Sequence, residues 1–133
     1  MFAVEVRDHI MIAHSFRGAV FGPAQALHGA TFVIDASFIA DTLDANGIVI
    51  DIGRAHDALK ATLKPLNYTN LDSIPEFKGK NTTTEFLTKY IYDKLADAAR
   101  AGELGRDGRE LKAIRITISE SHVARAWCEA PLW

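Results

Sequence analysis

The sequence predicts an α+β fold in the order β-β-α-α-β-β, a four-stranded antiparallel sheet with two helices on one face. Three observations predict it. Segments at both ends of the chain alternate apolar and polar residues with period two. Two segments between them repeat apolar residues at spacings of three and four. Strands and helices are segregated along the chain, the pattern of an antiparallel sheet rather than of alternating βαβ units.

The elements follow in order. Residues 2–14 form the first predicted strand: Phe2, Val4, Val6, Ile10 and Ile12 share one face, interrupted by Asp8, while Glu5, Arg7 and His9 take the other. His14 falls on the apolar face. Gly18, Gly22 and Pro23 make residues 15–27 a loop. Residues 28–40 alternate again, with His28, Ala30, Phe32, Ile34, Ala36 and Phe38 on one face. Asp44-Ala45-Asn46-Gly47 is a turn cluster. Asp51 is the predicted N-cap of the first helix, whose stripe is Ile52, Ala55, Leu59, Leu63 and Leu66, limited by Pro65. Thr82-Thr83-Thr84-Glu85 has the form of a capping box with Thr82 at the cap. The second helix carries Leu87, Ile91, Leu95 and Ala98, and Gly102 ends it. Residues 112–128 hold the last two strands, with Ile114, Ile116 and Ile118 on one face and Arg115, Thr117 and Ser119 on the other.

Composition limits the function classes. The 133 residues predict one domain, 1–133, with a real core. Hydrophobic residues at 48% and charged residues at 24% describe a globular chain rather than a disordered one. A net charge of −2 offers no field for nucleic acid or an anionic membrane. Cys128 is the single cysteine, which excludes an internal disulfide framework and fits a reducing cytoplasm. No apolar run reaches the roughly 18 residues of a membrane-spanning helix. Glu5, Arg7 and Asp8 break up any signal-peptide pattern at the start. The expected setting is therefore cytoplasmic.

The informative residues are polar ones on apolar faces: His14, His28 and Glu120. Glu120 continues the Ile114-Ile116-Ile118 face, where a buried carboxylate needs a cation or a ligand with two N–H donors. At a strand end it also has the option of reaching solvent. Two histidines on facing strands are candidate zinc ligands, but a catalytic zinc takes three protein ligands, and position 30, on the same face as His28, is alanine. His122, two residues after Glu120, shares its face if the strand is unbroken. Cys128 reads as a core residue, and His9 and His56 as surface groups.

Taken in order, several segments resemble the 6-pyruvoyl-tetrahydropterin synthase and 6-carboxy-tetrahydropterin synthase family. They are Ala13-His14, Leu27-His28-Gly29, Gly47-Ile48-Val49-Ile50-Asp51, Asn70-Leu71-Asp72, Thr82-Thr83-Thr84-Glu85 and Ile118-Ser119-Glu120-Ser121. The resemblance runs over nearly the whole chain. It implies a T-fold whose subunits join their sheets into an oligomeric barrel, with substrate sites at subunit boundaries. It implies a reduced pterin of the dihydroneopterin triphosphate class as ligand, anchored by Glu120, with Thr83 and Thr84 helping to hold it. It implies zinc on His14 and His28.

The departures from that pattern concern chemistry. The third zinc ligand of the family's His-Gly-His triplet is Ala30, the catalytic cysteine four residues before the triplet is Ala24, and the Asp-His pair aligns with Asn67-Tyr68. Alanine supplies neither Lewis-acid ligation nor a base, and a tyrosine, with an ordinary pKa of about 10, does not replace histidine as a base near neutrality. His122 is the candidate substitute, as a catalytic group or a further metal ligand. The expected function is binding of a reduced pterin with altered or absent lyase chemistry, in a homo-oligomer. The alternative is a noncatalytic pterin- or purine-binding protein or a structural partner subunit.

Overall fold

Period-two alternation produces two long strands where the sequence places them. In the computed structural model, which describes residues 1–133, β1 spans Phe2–His14 and β2 spans His28–Ala40. They pair antiparallel along their whole length, from Phe2 opposite Ala40 to His14 opposite His28. Asp51 caps the first helix, α1 (Ile52–Leu63), its side chain accepting the Arg54 N–H at 3.0 Å. The helix stops two residues before Pro65, whose ring would clash with the preceding turn. A two-residue strand, β3 (Thr69–Asn70), follows, then α2 (Thr84–Arg100), β4 (Ala113–Ser119) and β5 (Arg125–Pro131).

The sheet has five strands in the order β3-β1-β2-β4-β5, not four. The additional strand pairs parallel with β1 at Ile12 and Ala13 only. Two residues carry no periodicity, which is why no pattern announces it. Three further expectations are corrected. Ile52, counted into the α1 stripe, is the first helical residue and is 56% exposed; Ala55, Leu59 and Leu63 are buried. The α2 cap is Thr83, whose hydroxyl oxygen accepts the Phe86 N–H at 3.1 Å, because Thr82 is drawn inward to bond His14. The last strand runs on to Pro131.

Both helices lie on one face of the sheet. Their inner sides (Leu59, Leu63, Leu87, Ile91, Leu95) pack on Phe32, Ile34, Phe38, Ile114, Ile116 and Ile118 in a single cluster. Each such side chain contributes about 1.5–3 kcal/mol of transfer free energy. The other face is polar and carries no helix. Arg7 donates twice to Asp35, at 2.6 and 3.0 Å, Ser37 donates to Glu5 at 2.5 Å, and Arg115 donates to Glu129 at 2.9 Å under the Trp127 ring. Beyond its two-residue contact with β3, the outer edge of β1 has no strand partner, and neither does that of β5. No helix is long and apolar enough to cross a membrane.

Candidate functional site

Strand pairing alone brings His14 and His28 face to face. Their ring centroids are 4.6 Å apart at an interplanar angle of 62°. His14 is 2% exposed, as its place on the apolar face predicts. Its Nδ1 lies 3.1 Å from the Thr82 carbonyl oxygen and 3.1 Å from the Thr82 hydroxyl. A carbonyl only accepts, so the bond to it assigns the proton to Nδ1 and leaves the lone pair on Nε2. That Nε2 is buried without a partner. Burial first, and His28 second, hold the His14 pKa below the usual histidine value, so the ring stays neutral. His28 has the same arrangement: its Nδ1 donates to the Ala26 carbonyl at 2.9 Å. Phe16 covers the pair and Phe21 packs on Phe16; sequence reasoning passed over both because the loop after β1 and the short 3-10 segment Ala19–Gln25 have no period to read.

Glu120 stands elsewhere. β4 ends at Ser119, and the chain bends so that the N–H groups of Glu120 and Ser121 both donate to the Ala124 carbonyl, at 3.1 and 3.3 Å. Glu120 is therefore exposed in a turn, not buried on the isoleucine face; the expectation that desolvation demands a partner does not apply. Its carboxylate makes no hydrogen bond or ion pair within the chain, and it lines a cavity of about 650 Å³ with Arg7, Thr31, Ser119, Ser121, His122 and Arg125. The turn also ends the parity argument for His122. The two residues nevertheless line the same cavity, because both belong to the turn that walls it. Arg7, Thr31, Val33 and Arg125 are the lining residues the sequence reading did not assign to a site; their odd positions, on the strand face away from the core, were the available signal.

The structure does not bring these two groups together within one chain. Ser119 pairs with Val33, five residues from His28, so the Glu120 turn lies roughly 16 Å short of the histidines along the sheet. Thr83 and Thr84 belong to the histidine end: Thr83 caps α2 and Thr84 donates to Glu85 at 2.7 Å, and neither lines the Glu120 cavity. Asn67 and Tyr68 sit at the β1 edge, where the Asn67 side chain accepts the Met11 N–H and the Tyr68 N–H donates to the Met11 carbonyl. Tyr68 is 81% exposed and has φ of 57°, the only non-glycine in the left-handed region.

A family model described as 6-pyruvoyl tetrahydropterin synthase matches residues 3–131. The chain belongs to that family. A 6-pyruvoyl tetrahydrobiopterin synthase of Dictyostelium discoideum is 31% identical over 78 residues, which is 57% of this chain and 58% of that protein, less than two thirds of its length. Among solved structures, the 6-pyruvoyl tetrahydropterin synthase of Caenorhabditis elegans matches with a TM-score of 0.79 at 19% identity, over 97% of this chain and 95% of the other. That of Plasmodium vivax gives 0.73 at 17% identity, over 98% and 99%. At such identities these likenesses establish the fold, which is the T-fold with β3 as an added edge strand.

Proposed function

We propose that this chain binds a reduced pterin of the dihydroneopterin triphosphate class, with Glu120 as the anchor. The observation that carries this is the free Glu120 carboxylate in a cavity of about 650 Å³, in the turn that follows β4. A pterin ring presents an exocyclic amine and a ring N–H side by side, and a carboxylate accepts such a pair through two charge-assisted bonds. Membership of a family named for a tetrahydropterin synthase supports the same ligand class.

Lyase chemistry in this site is altered from the family pattern or absent. Ala24 is no nucleophile, and Asn67-Tyr68 offers no carboxylate-imidazole pair. His122 brings the only imidazole to the cavity and belongs to the residue type most used for proton transfer, which makes it the candidate acid or base. The absence of the usual groups favours the second reading, a noncatalytic pterin- or purine-binding protein or partner subunit. Incubation with dihydroneopterin triphosphate, followed by mass spectrometry, separates the two by the presence or absence of turnover.

The reading also includes a cytoplasmic homo-oligomer. β5 runs antiparallel to β1, so the free β5 edge of one copy laid along the free β1 edge of the next continues an antiparallel sheet. That arrangement carries the Glu120 turn of one copy toward the Tyr68 end of its neighbour. It would reduce the separation between Glu120 and the Thr83-Thr84 segment that exists within one chain.

Calorimetry with a panel of reduced and oxidised pterins tests the anchor. Glu120→Gln keeps the shape but turns one acceptor into a donor facing a donor. The expected result is roughly tenfold weaker binding or more. Equal affinities for folded wild type and variant remove Glu120 from the site. Failure of the wild type to bind any pterin favours the structural reading.

A further inference from the structure

We propose that this chain has replaced the zinc centre implied by its family resemblance with a metal-independent aromatic plug, in which Phe16, backed by Phe21, closes over His14 and His28. The donor set is the first ground. A catalytic zinc takes three protein ligands and keeps a fourth position open. Here two imidazoles face each other, and the third place on the same strand face is the Ala30 methyl, opposite Ile12 and packed against the core. No three His, Cys, Asp or Glu side chains cluster closely enough to hold a metal ion. Asp72, the carboxylate whose charge reaches His14, is turned to Ser15 and accepts both its N–H and its hydroxyl.

The second ground is what fills the space. The Phe16 centroid is 4.5 Å from His14 and 5.6 Å from His28, and Phe21 stacks behind Phe16 at 4.7 Å. Phe32 closes the other side of His14 at 6.0 Å. Neither histidine lines the Glu120 cavity or the cavity between β1 and α1. The plug is held, not draped. The Phe16 N–H donates to the Ala24 carbonyl at 3.2 Å, and the Asn81 side chain bonds the Arg17 backbone both ways, at 2.8 and 3.0 Å. Gly18 and Gly22, with φ of 128° and 52°, turn the loop back over the strand ends.

One feature of a metal site persists. Each imidazole has its Nδ1 bonded to a carbonyl, the outer contact that orients ligating histidines, and leaves Nε2 free. A third donor and room are therefore what the site lacks, and both can be supplied.

The test compares wild type, Ala30→His and Ala30→His with Phe16→Ala by zinc calorimetry, elemental analysis and thermal unfolding with and without chelator. Wild type is expected to hold no stoichiometric zinc after dialysis against a mild chelator, and its unfolding midpoint is expected to ignore both zinc and chelator. The double variant is expected to bind about one zinc per chain, at least about 100-fold more tightly, since even outer contacts change metal affinity by 10–100-fold. Stoichiometric zinc in wild type, or a midpoint that falls on chelation, overturns the proposal. So does a folded double variant with no gain in affinity. If the variants do not fold, the wild-type measurements decide alone. Metal content is read without any pterin, so this result stands apart from the test of Glu120.

Discussion

Acidification should weaken this fold through His14, and the structure says by how much at most. The ring is neutral because its Nδ1 proton is committed to the Thr82 carbonyl and its Nε2 is buried without a partner, in a ring packed beside Phe16 and Phe32. Protonation would place both a charge and an unmatched N–H there. The unfolded chain has no such penalty and takes up a proton near the ordinary histidine pKa of about 6.5. Between that value and the lower folded one, the unfolded state binds more protons, so stability is full above about pH 6.5 and declines as pH falls. A ring that stayed wholly neutral in the fold would lose about 1.4 kcal/mol by pH 5.5. At about 2.1 cal/mol/K per residue, the unfolding entropy of 133 residues is about 0.28 kcal/mol/K, so the midpoint falls by up to about 5 °C. The assay is calorimetric unfolding from pH 8 to 5.5 on wild type and His14→Phe. The variant loses the Thr82 bond at every pH but has nothing to titrate, so the two midpoints converge as pH falls. Parallel curves, or a wild type that gains stability toward acid, would refute the burial of a neutral His14.

Gly108 makes a second, independent case. A Cβ there would lie 2.4 Å from the Ala99 carbonyl oxygen and 2.9 Å from the Arg100 Cα, both backbone atoms that cannot swing aside. Gly108→Ala is expected to cost about 1–3 kcal/mol, lowering the midpoint by roughly 4–11 °C, and an unchanged midpoint would show that the C-terminal end of α2 yields. Light scattering at micromolar concentration is expected to find a multiple of 14.6 kDa, since two free sheet edges of matching direction invite pairing; a 14.6 kDa particle alone would count against edge pairing.

The long strands and the first helix were legible because each is specified locally. Alternation from Phe2 to Ile12 and from Phe32 to Phe38 sets both the strands and their inner faces, and Asp51 announces its helix by a bond three residues away. What stayed hidden depended on partners distant in sequence. The cap moved from Thr82 to Thr83 because His14, 68 residues earlier, takes Thr82. Glu120 left the isoleucine face because a bend at Ser121, closed by Ala124, ends the strand one residue sooner than parity assumes. β3 exists only because β1 lies beside it. Phe16 and Phe21 carry no period at all, yet Phe16 packs directly on the histidine pair and Phe21 packs on Phe16.

That contrast separates scaffold from chemistry. The residues that make this a T-fold are core side chains contributed by strands and helices, and they form one cluster from Val6 to Leu132. The positions where the resemblance implies a departure from the family pattern, Ala24, Ala30 and Asn67-Tyr68, lie outside that cluster or at its margin: a short 3-10 segment, a strand start and a sheet edge. Changing such positions costs the fold little, because few core contacts pass through them. Tyr68 is the instructive exception in conformation. A bulky residue at φ 57° is strained, and the bonds between Asn67, Tyr68 and Met11 hold it there while its ring stays in solvent. Strain kept at an exposed aromatic beside the short β3 edge serves no packing role within the chain. In the edge pairing proposed above Tyr68 would face the Glu120 turn of a neighbouring copy.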